Sequence, residues 1–201
     1  MPENRLALID REVATIGDIA PGGYLLALRI GGTSPLQAYH TYPQAWIDEY
    51  TQNGYMLRDP LMTWALTIGG TVRWSSALLL DPFRIFRKAA KHGLHFGASV
   101  AHGPISSLTI CSMARADREF SDEEIAAAQA IVVSVHDAAE PPQSLTEDEK
   151  RILDAMAAGL DNTAIAKSAG VSVAQIDALY ARLFARTQQE VLRHAKRFKL
   201  I

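Results

Sequence analysis

The sequence predicts an α+β protein. An N-terminal antiparallel sheet with helices on its faces, an α-β-α domain, is followed by an all-α four-helix domain. Three observations predict it. Short apolar runs bounded by glycine and proline fill the chain before residue 120, and longer stretches of helical periodicity replace them afterwards. Between two of those stretches stands Glu140-Pro141-Pro142-Gln143-Ser144, where two prolines remove backbone donors and push the preceding residue out of the helical region. The expected domains are residues 1–139 and 145–201, with 140–144 as linker.

Before residue 120 the expected order is helix, strand, helix, helix, strand, helix, strand, strand. Strands are expected over residues 24–30, 71–74, 98–101 and 107–113. Helices are expected over 43–53, where Trp46, Ile47 and Tyr50 share a face, over 60–67, and over 82–93. Helices packed on an antiparallel sheet follow from that order. Ser121-Asp122-Glu123-Glu124 has the form of a capping box and opens a long amphipathic helix carrying Ile125, Ala128, Ile131, Val132 and Val135. Thr146-Glu147-Asp148-Glu149 repeats the pattern before Ile152, Leu153 and Met156, and Gly159 ends that helix.

Composition narrows the function classes. With 48 % hydrophobic residues in 201, the chain can bury a sizeable core. The start, MPENRLALIDREV, is broken by charges too early for the apolar core of a signal peptide, and no run approaches the roughly 20 apolar residues of a membrane span. A soluble, cytoplasmic protein without a membrane role is expected. The single cysteine, Cys111, excludes an internal disulfide and reads as buried packing. The net charge of −2 is divided unevenly: from Ser144 onward nine Lys or Arg face seven acids, leaving an acidic N-terminal part. That polarity fits an acidic sensor joined to a weakly basic nucleic-acid module.

From Asn162 the sequence fits a helix, a tight turn and a second helix. Ala166 lets the helices approach, Gly170 can take the left-handed conformation of the turn, and Ile176 packs the second helix back on the first. The same window also fits an ordinary helical hairpin. Leu145-Thr146, Glu149, Leu153, Gly159, Ile165-Ala166 and the run from Arg186-Thr187-Gln188-Gln189-Glu190 to Leu200-Ile201 extend the pattern over residues 144–201. Together they resemble the C-terminal helix-turn-helix domain of LuxR-type transcription regulators.

Upstream, Tyr42, Trp46, Tyr50, Asp59-Pro60 and Trp74 occur in a chain with three tryptophans. Aromatic rings with polar tips and one carboxylate can line an apolar pocket and orient a small amide. Residue by residue, the same set also reads as an aromatic core stripe with Asp59 as a helix N-cap. Its joint spacing, with Gly93-Leu-His-Phe-Gly97 and Leu108-Thr109-Ile110, resembles the autoinducer-binding domain of LuxR-type quorum-sensing regulators. The resemblance implies a neutral N-acyl homoserine lactone as ligand and no cofactor. It implies that Trp46 donates to the lactone carbonyl, Asp59 accepts from the amide N–H and Tyr42 donates to the acyl carbonyl. Thr109 would add a hydroxyl, directly or through water, and Tyr50 and Trp74 would wall the pocket.

An enzyme is the rival class, with Asp59 as acid or base, but no nucleophile or partner base is identifiable. Phosphate-loop, nucleophile-elbow and zinc-helix motifs are absent from the sequence, and His92 and His95 read as surface or strand-edge residues. The partners expected are the autoinducer, DNA and a second copy of the chain, the homodimer resting on a free part of the stripe in the helix after Ser121. DNA contacts fall to Gln175 as base reader and to Arg182 and Arg186 at phosphates. The second helix of the turn motif is about one turn shorter than the family pattern, and residues 172–181 hold no Lys or Arg. Weak DNA binding is therefore expected. The alternative function is a DNA-binding-impaired homologue that inhibits active regulators by heterodimerisation or by sequestering signal.

Overall fold

Five strands pair in the order β2-β1-β5-β4-β3, every neighbour antiparallel. They are β1 (Tyr24–Ile30), β2 (Gln37–His40), β3 (Gly70–Arg73), β4 (Phe96–His102) and β5 (Leu108–Arg115). The computed structural model describes residues 5–31 and 34–201, so residues 1–4 and 32–33 of the assigned first domain lie outside the described residues. Every residue of β5 is buried, because the central strand is covered on both faces.

Strand register sorts those faces. Ala27 pairs with Ile110, and Ser99 with Ser112, so Leu25, Ala27, Ile110, Ser112 and Ser99 share one face. The other carries Leu26, Cys111, Val100 and Thr109 and packs against α5 (Asp122–Ala138). A bulge between Ala27 and Ile30 puts Arg29 in the left-handed region at φ 46°, and the pairing resumes at Ile30. Three bonds hold that strained residue. The Arg29 N–H donates to Thr109 Oγ1 at 3.0 Å, its Nε to the His136 carbonyl at 2.9 Å, and its guanidinium to Ser107 Oγ at 3.1 Å. Burial first, then the nearby Arg29 and His102, pulls the His136 pKa down to about 4, so its imidazole is neutral at pH 7.

The helices of this unit are α1 (Arg5–Ile19), α2 (Gln44–Gln52), α3 (Pro60–Thr67), α4 (Ile85–Ala90) and α5, with a 3-10 turn at Tyr55–Leu57. One helix and one strand differ from expectation. The helix expected from Pro82 begins at Ile85, because the Asp81 carboxylate accepts the Ile85 and Phe86 N–H groups while Arg84 turns left-handed at φ 56°. Strand β2, with no aliphatic pattern in Gln-Ala-Tyr-His, is an edge strand that the sequence hides. The capping box at Ser121 and Glu124 forms. Ile125, Ala128, Val132 and Val135 of the α5 stripe are buried, Ile131 and Val133 are half-buried, and Ala126, Ala127 and Ala130 are exposed.

The chain divides into two compact units: Ile9–Ala138, and Ala139–Ile201 together with the start of α1. In the second unit, α6 (Glu147–Ala157), α7 (Asn162–Ala169), α8 (Val173–Arg182) and α9 (Gln188–Arg197) enclose a core of Ile152, Leu153, Ile165, Ile176, Leu179 and Val191. Each helix opens on a side-chain cap, from Thr146, Asp161, Ser172 and Thr187 in turn. Gly170 makes the turn between α7 and α8 at φ 66°. No helix of the described residues is long and apolar enough to cross a membrane.

Candidate functional site

A cavity of about 360 Å³ lies between one face of the sheet and helices α2, α3 and α4. Its floor is Leu25, Ala27, Ile110 and Ser112. Tyr42, Trp46, Ile47 and Tyr50 come from α2 and the turn before it, while Asp59, Leu61 and Met62 come from the start of α3. Trp74, Ile85, Phe86 and Ala89 form the remaining wall, with Met56, Ile30 and Pro35 at other points of the lining. Among the described residues no Lys or Arg lines it, so the site is shaped for a ligand without a negative charge.

Asp59 holds two roles at once. It caps α3, accepting the Leu61 N–H on Oδ1 at 2.8 Å, and it accepts the Tyr50 hydroxyl on Oδ2 at 2.7 Å. Burial raises its pKa above the ordinary carboxylate value, against the lowering effect of those two donors. Each oxygen keeps a second lone pair, which leaves the carboxylate able to accept one more N–H from the cavity. Trp46 lies edge-on to Tyr50, ring centroids 5.5 Å apart, and its indole N–H has no protein acceptor among the described residues.

Trp74 lies flat on the sheet because position 97 is glycine. A Cβ there would stand 2.0 Å from the indole Cδ2, although the backbone of Gly97 does not require glycine. The ring stacks on Phe86 at 5.1 Å and donates Nε1–H to Ser99 Oγ at 3.2 Å. Ser99 in turn donates to Ser112 Oγ at 3.0 Å, which frees the Ser112 hydroxyl to donate into the cavity.

The structure thus brings together Tyr42, Trp46, Tyr50, Asp59 and Trp74, and it corrects two expected roles. Thr109 is not in the cavity: on β5 its side chain has the opposite parity from Ile110 and Ser112, and its Oγ1 is bonded to the Arg29 N–H and to His136 Nδ1. Tyr42 does not offer its proton to a ligand, because its hydroxyl donates to the Ser112 carbonyl at 2.8 Å. Ser112 is the donor the sequence reading missed. Which parity of 108–113 faces the pocket follows from pairing with β1, and the sequence of β5, apolar on both faces, does not announce it. His92 is also no simple surface residue. Its Nε2 meets Glu49 Oε2 at 2.8 Å, and its ring lies 5.6 Å from that of Trp46.

Residues 24–139 match the autoinducer-binding domain model. The chain belongs to the autoinducer-binding domain family. The quorum-sensing regulator RhlR of Pseudomonas aeruginosa is 29 % identical over 120 residues, 59 % of this chain and 49 % of that protein. The transcriptional activator VanR of Vibrio anguillarum is 30 % identical over 93 residues, 45 % of this chain and 39 % of that protein. The matches thus span about half or less of the curated relatives' length. The fold is that of Escherichia coli SdiA, with a TM-score of 0.56 at 22 % identity over 98 % of this chain and 92 % of that one. SdiA in complex with octanoyl-rac-glycerol matches with a TM-score of 0.51 at 21 % identity, over 98 % of this chain and 88 % of that one. Of these relatives, RhlR is a quorum-sensing regulator and VanR a transcriptional activator.

The residues expected from sequence to contact DNA lie in the helical unit, where Gln175 and Arg182 make the following contacts within the protein. Gln175 completes the capping box of α8, its Oε1 accepting the Ser172 N–H at 2.9 Å and its Nε2 donating to Asp148 at 3.1 Å. Arg182 forms a forked pair with Glu149 and donates to the Ser144 carbonyl at 2.8 Å. Arg186 is exposed, and its backbone N–H donates to Glu190.

Proposed function

We propose that this chain is a quorum-sensing transcription regulator whose cavity binds an N-acyl homoserine lactone. The observation that carries the reading is the cavity lining: one carboxylate, one open indole N–H and one serine hydroxyl in an otherwise apolar, cation-free wall. A neutral ligand with an amide N–H, two carbonyls and an acyl chain satisfies each of them. In this reading Asp59 accepts the amide N–H, Trp46 donates to the lactone carbonyl, and Ser112 takes the acyl-carbonyl role first given to Tyr42. Octanoyl-glycerol in SdiA is a neutral acyl amphiphile of the same general kind, which supports the ligand class. Homodimerisation, heterodimerisation with another regulator, and a cytoplasmic location belong to the same reading.

For the helical unit the engaged Gln175 and Arg182 favour a second reading, in which DNA binding is impaired and the chain acts by pairing with, or withholding signal from, active regulators. Releasing the Gln175 side chain would cost α8 the reciprocal half of its capping box, and releasing Arg182 would leave the Glu149 carboxylate without its cation, with the Thr146 N–H as its partner. With nine Lys or Arg against seven acids from Ser144 onward, the unit carries too little positive charge for tight association at about 0.15 M salt. Mobility-shift titration with lactone present should find no site held more tightly than about micromolar, the range of non-specific binding. A footprint at nanomolar protein would return the chain to the ordinary ligand-gated regulators.

A further inference from the structure

On the face of the sheet opposite the cavity, the end of β4 and the last turn of α5 bring two imidazoles and a carboxylate together. The candidate ligand atoms of His102, His136 and Asp137 all lie within 4.8 Å of one another. The two rings meet edge to face with centroids 4.9 Å apart. We propose that His102, His136 and Asp137 form a binding site for a first-row divalent transition metal, zinc being the plainest case.

Four features of the surroundings carry the assignment. First, Thr109 Oγ1, 2.8 Å from His136 Nδ1, already receives the Arg29 N–H and has a second lone pair for an Nδ1–H. That contact holds the ring from behind in either tautomer, and with the proton on Nδ1 it leaves Nε2 as the ligating nitrogen, the outer-shell support that metal-bound histidines usually have. Second, position 103 is a glycine at φ +93°, and a Cβ there would fall 2.9 Å from His136 Nε2 and 2.5 Å from Cε1. Any side chain would press on the ligating edge of the ring. Third, His102 is half-buried and Asp137 exposed, so both can swing toward the fixed His136 and close the donor spacing to the roughly 3.3–3.5 Å that bonds of about 2.0–2.2 Å require. Fourth, the site stands at the C-terminal end of α5, where the helix dipole favours a cation. The charged group opposing this is Arg29 of β1, whose guanidinium is bonded to the His136 carbonyl and Ser107; the Asp137 carboxylate offsets it.

Two imidazoles and one carboxylate select zinc, nickel, copper or cobalt over magnesium and calcium, which take oxygen ligands. Water completes the coordination. The bound ion cross-links β4 to the last turn of α5. None of this depends on the ligand assigned to the cavity.

The test is calorimetric titration of zinc into the untagged full chain stripped with chelator, paired with a thermal melt. One zinc per chain should bind, and the melting temperature should rise. His102→Ala and Asp137→Ala should each weaken binding at least tenfold with unchanged circular dichroism, and Thr109→Val should weaken it about ten- to a hundredfold although both imidazoles remain. His95→Ala, an exposed histidine elsewhere, should change nothing. Nitrogen shifts should place the metal on His136 Nε2 with the Nδ1 proton retained. Absence of saturable binding at submillimolar zinc would overturn the site, as would binding that survives His102→Ala undiminished.

Discussion

Asp59→Asn is expected to weaken binding of an N-acyl homoserine lactone ten- to a hundredfold while leaving the protein folded. The two effects separate because asparagine caps helices as well as aspartate does, so the Leu61 N–H keeps its acceptor. The ligand amide loses a charged acceptor, and the new Nδ2 donor faces Tyr50 or the cavity without a guaranteed partner. Losing a charge-assisted hydrogen bond costs roughly 1.5–3 kcal/mol, which is the stated loss in affinity. Acidification should copy the substitution. Since burial raises the Asp59 pKa, wild-type affinity should fall from a higher pH than an ordinary carboxylate of pKa 3.8 would give, and Asp59→Asn should show no such slope. Unchanged affinity in a folded variant, measured by quenching of tryptophan emission, would reduce Asp59 to a cap.

Gly97→Ala should have the larger effect on the fold. A single methyl group placed 2.0 Å from Cδ2 and 2.2 Å from Cε2 of Trp74 cannot be absorbed by a small shift, and the indole must leave its seat. With it go the stack on Phe86 and the bond to Ser99, hence the polarised Ser112 hydroxyl and one wall of the cavity. The expected cost is about 3 kcal/mol, in the range for misplacing a large core side chain, together with loss of lactone binding. Gly17→Ala is the control: it lies on an exposed helical position with nothing within 4 Å, and it should be neutral or stabilising. Equal melting temperatures for the two variants would show that Trp74 is free to move and is not a wall.

Much of the fold was legible because local signals agreed with it. Proline and glycine bounded the strands, capping boxes opened α5 and α6, and Gly170 marked the turn between α7 and α8. What stayed hidden depended on pairing. Edge strand β2 has no alternation to read, and the face assignment of β5 needs its register with β1, which is why Thr109 was put in the cavity and Ser112 overlooked. The aromatic positions of the site survived because each sits on a short helix or beside a glycine where spacing fixes direction, Trp46 and Tyr50 four apart on α2 and Trp74 over Gly97. The side-chain partners did not survive. Sequence shows that Gln175 and Arg182 are polar and exposed, not that Asp148 and Glu149 of α6 engage them.

Binding of an intact neutral acyl lactone in the cavity is tested most directly by a mass spectrum of what the protein carries. The full chain is to be produced in a host supplied with N-acyl homoserine lactones of several chain lengths, purified, denatured and extracted. One lactone, unaltered and close to one per chain, is the predicted result, and Asp59→Asn prepared in parallel should return far less. Extraction of no lactone, or of ring-opened or deacylated product in its place, would contradict the account.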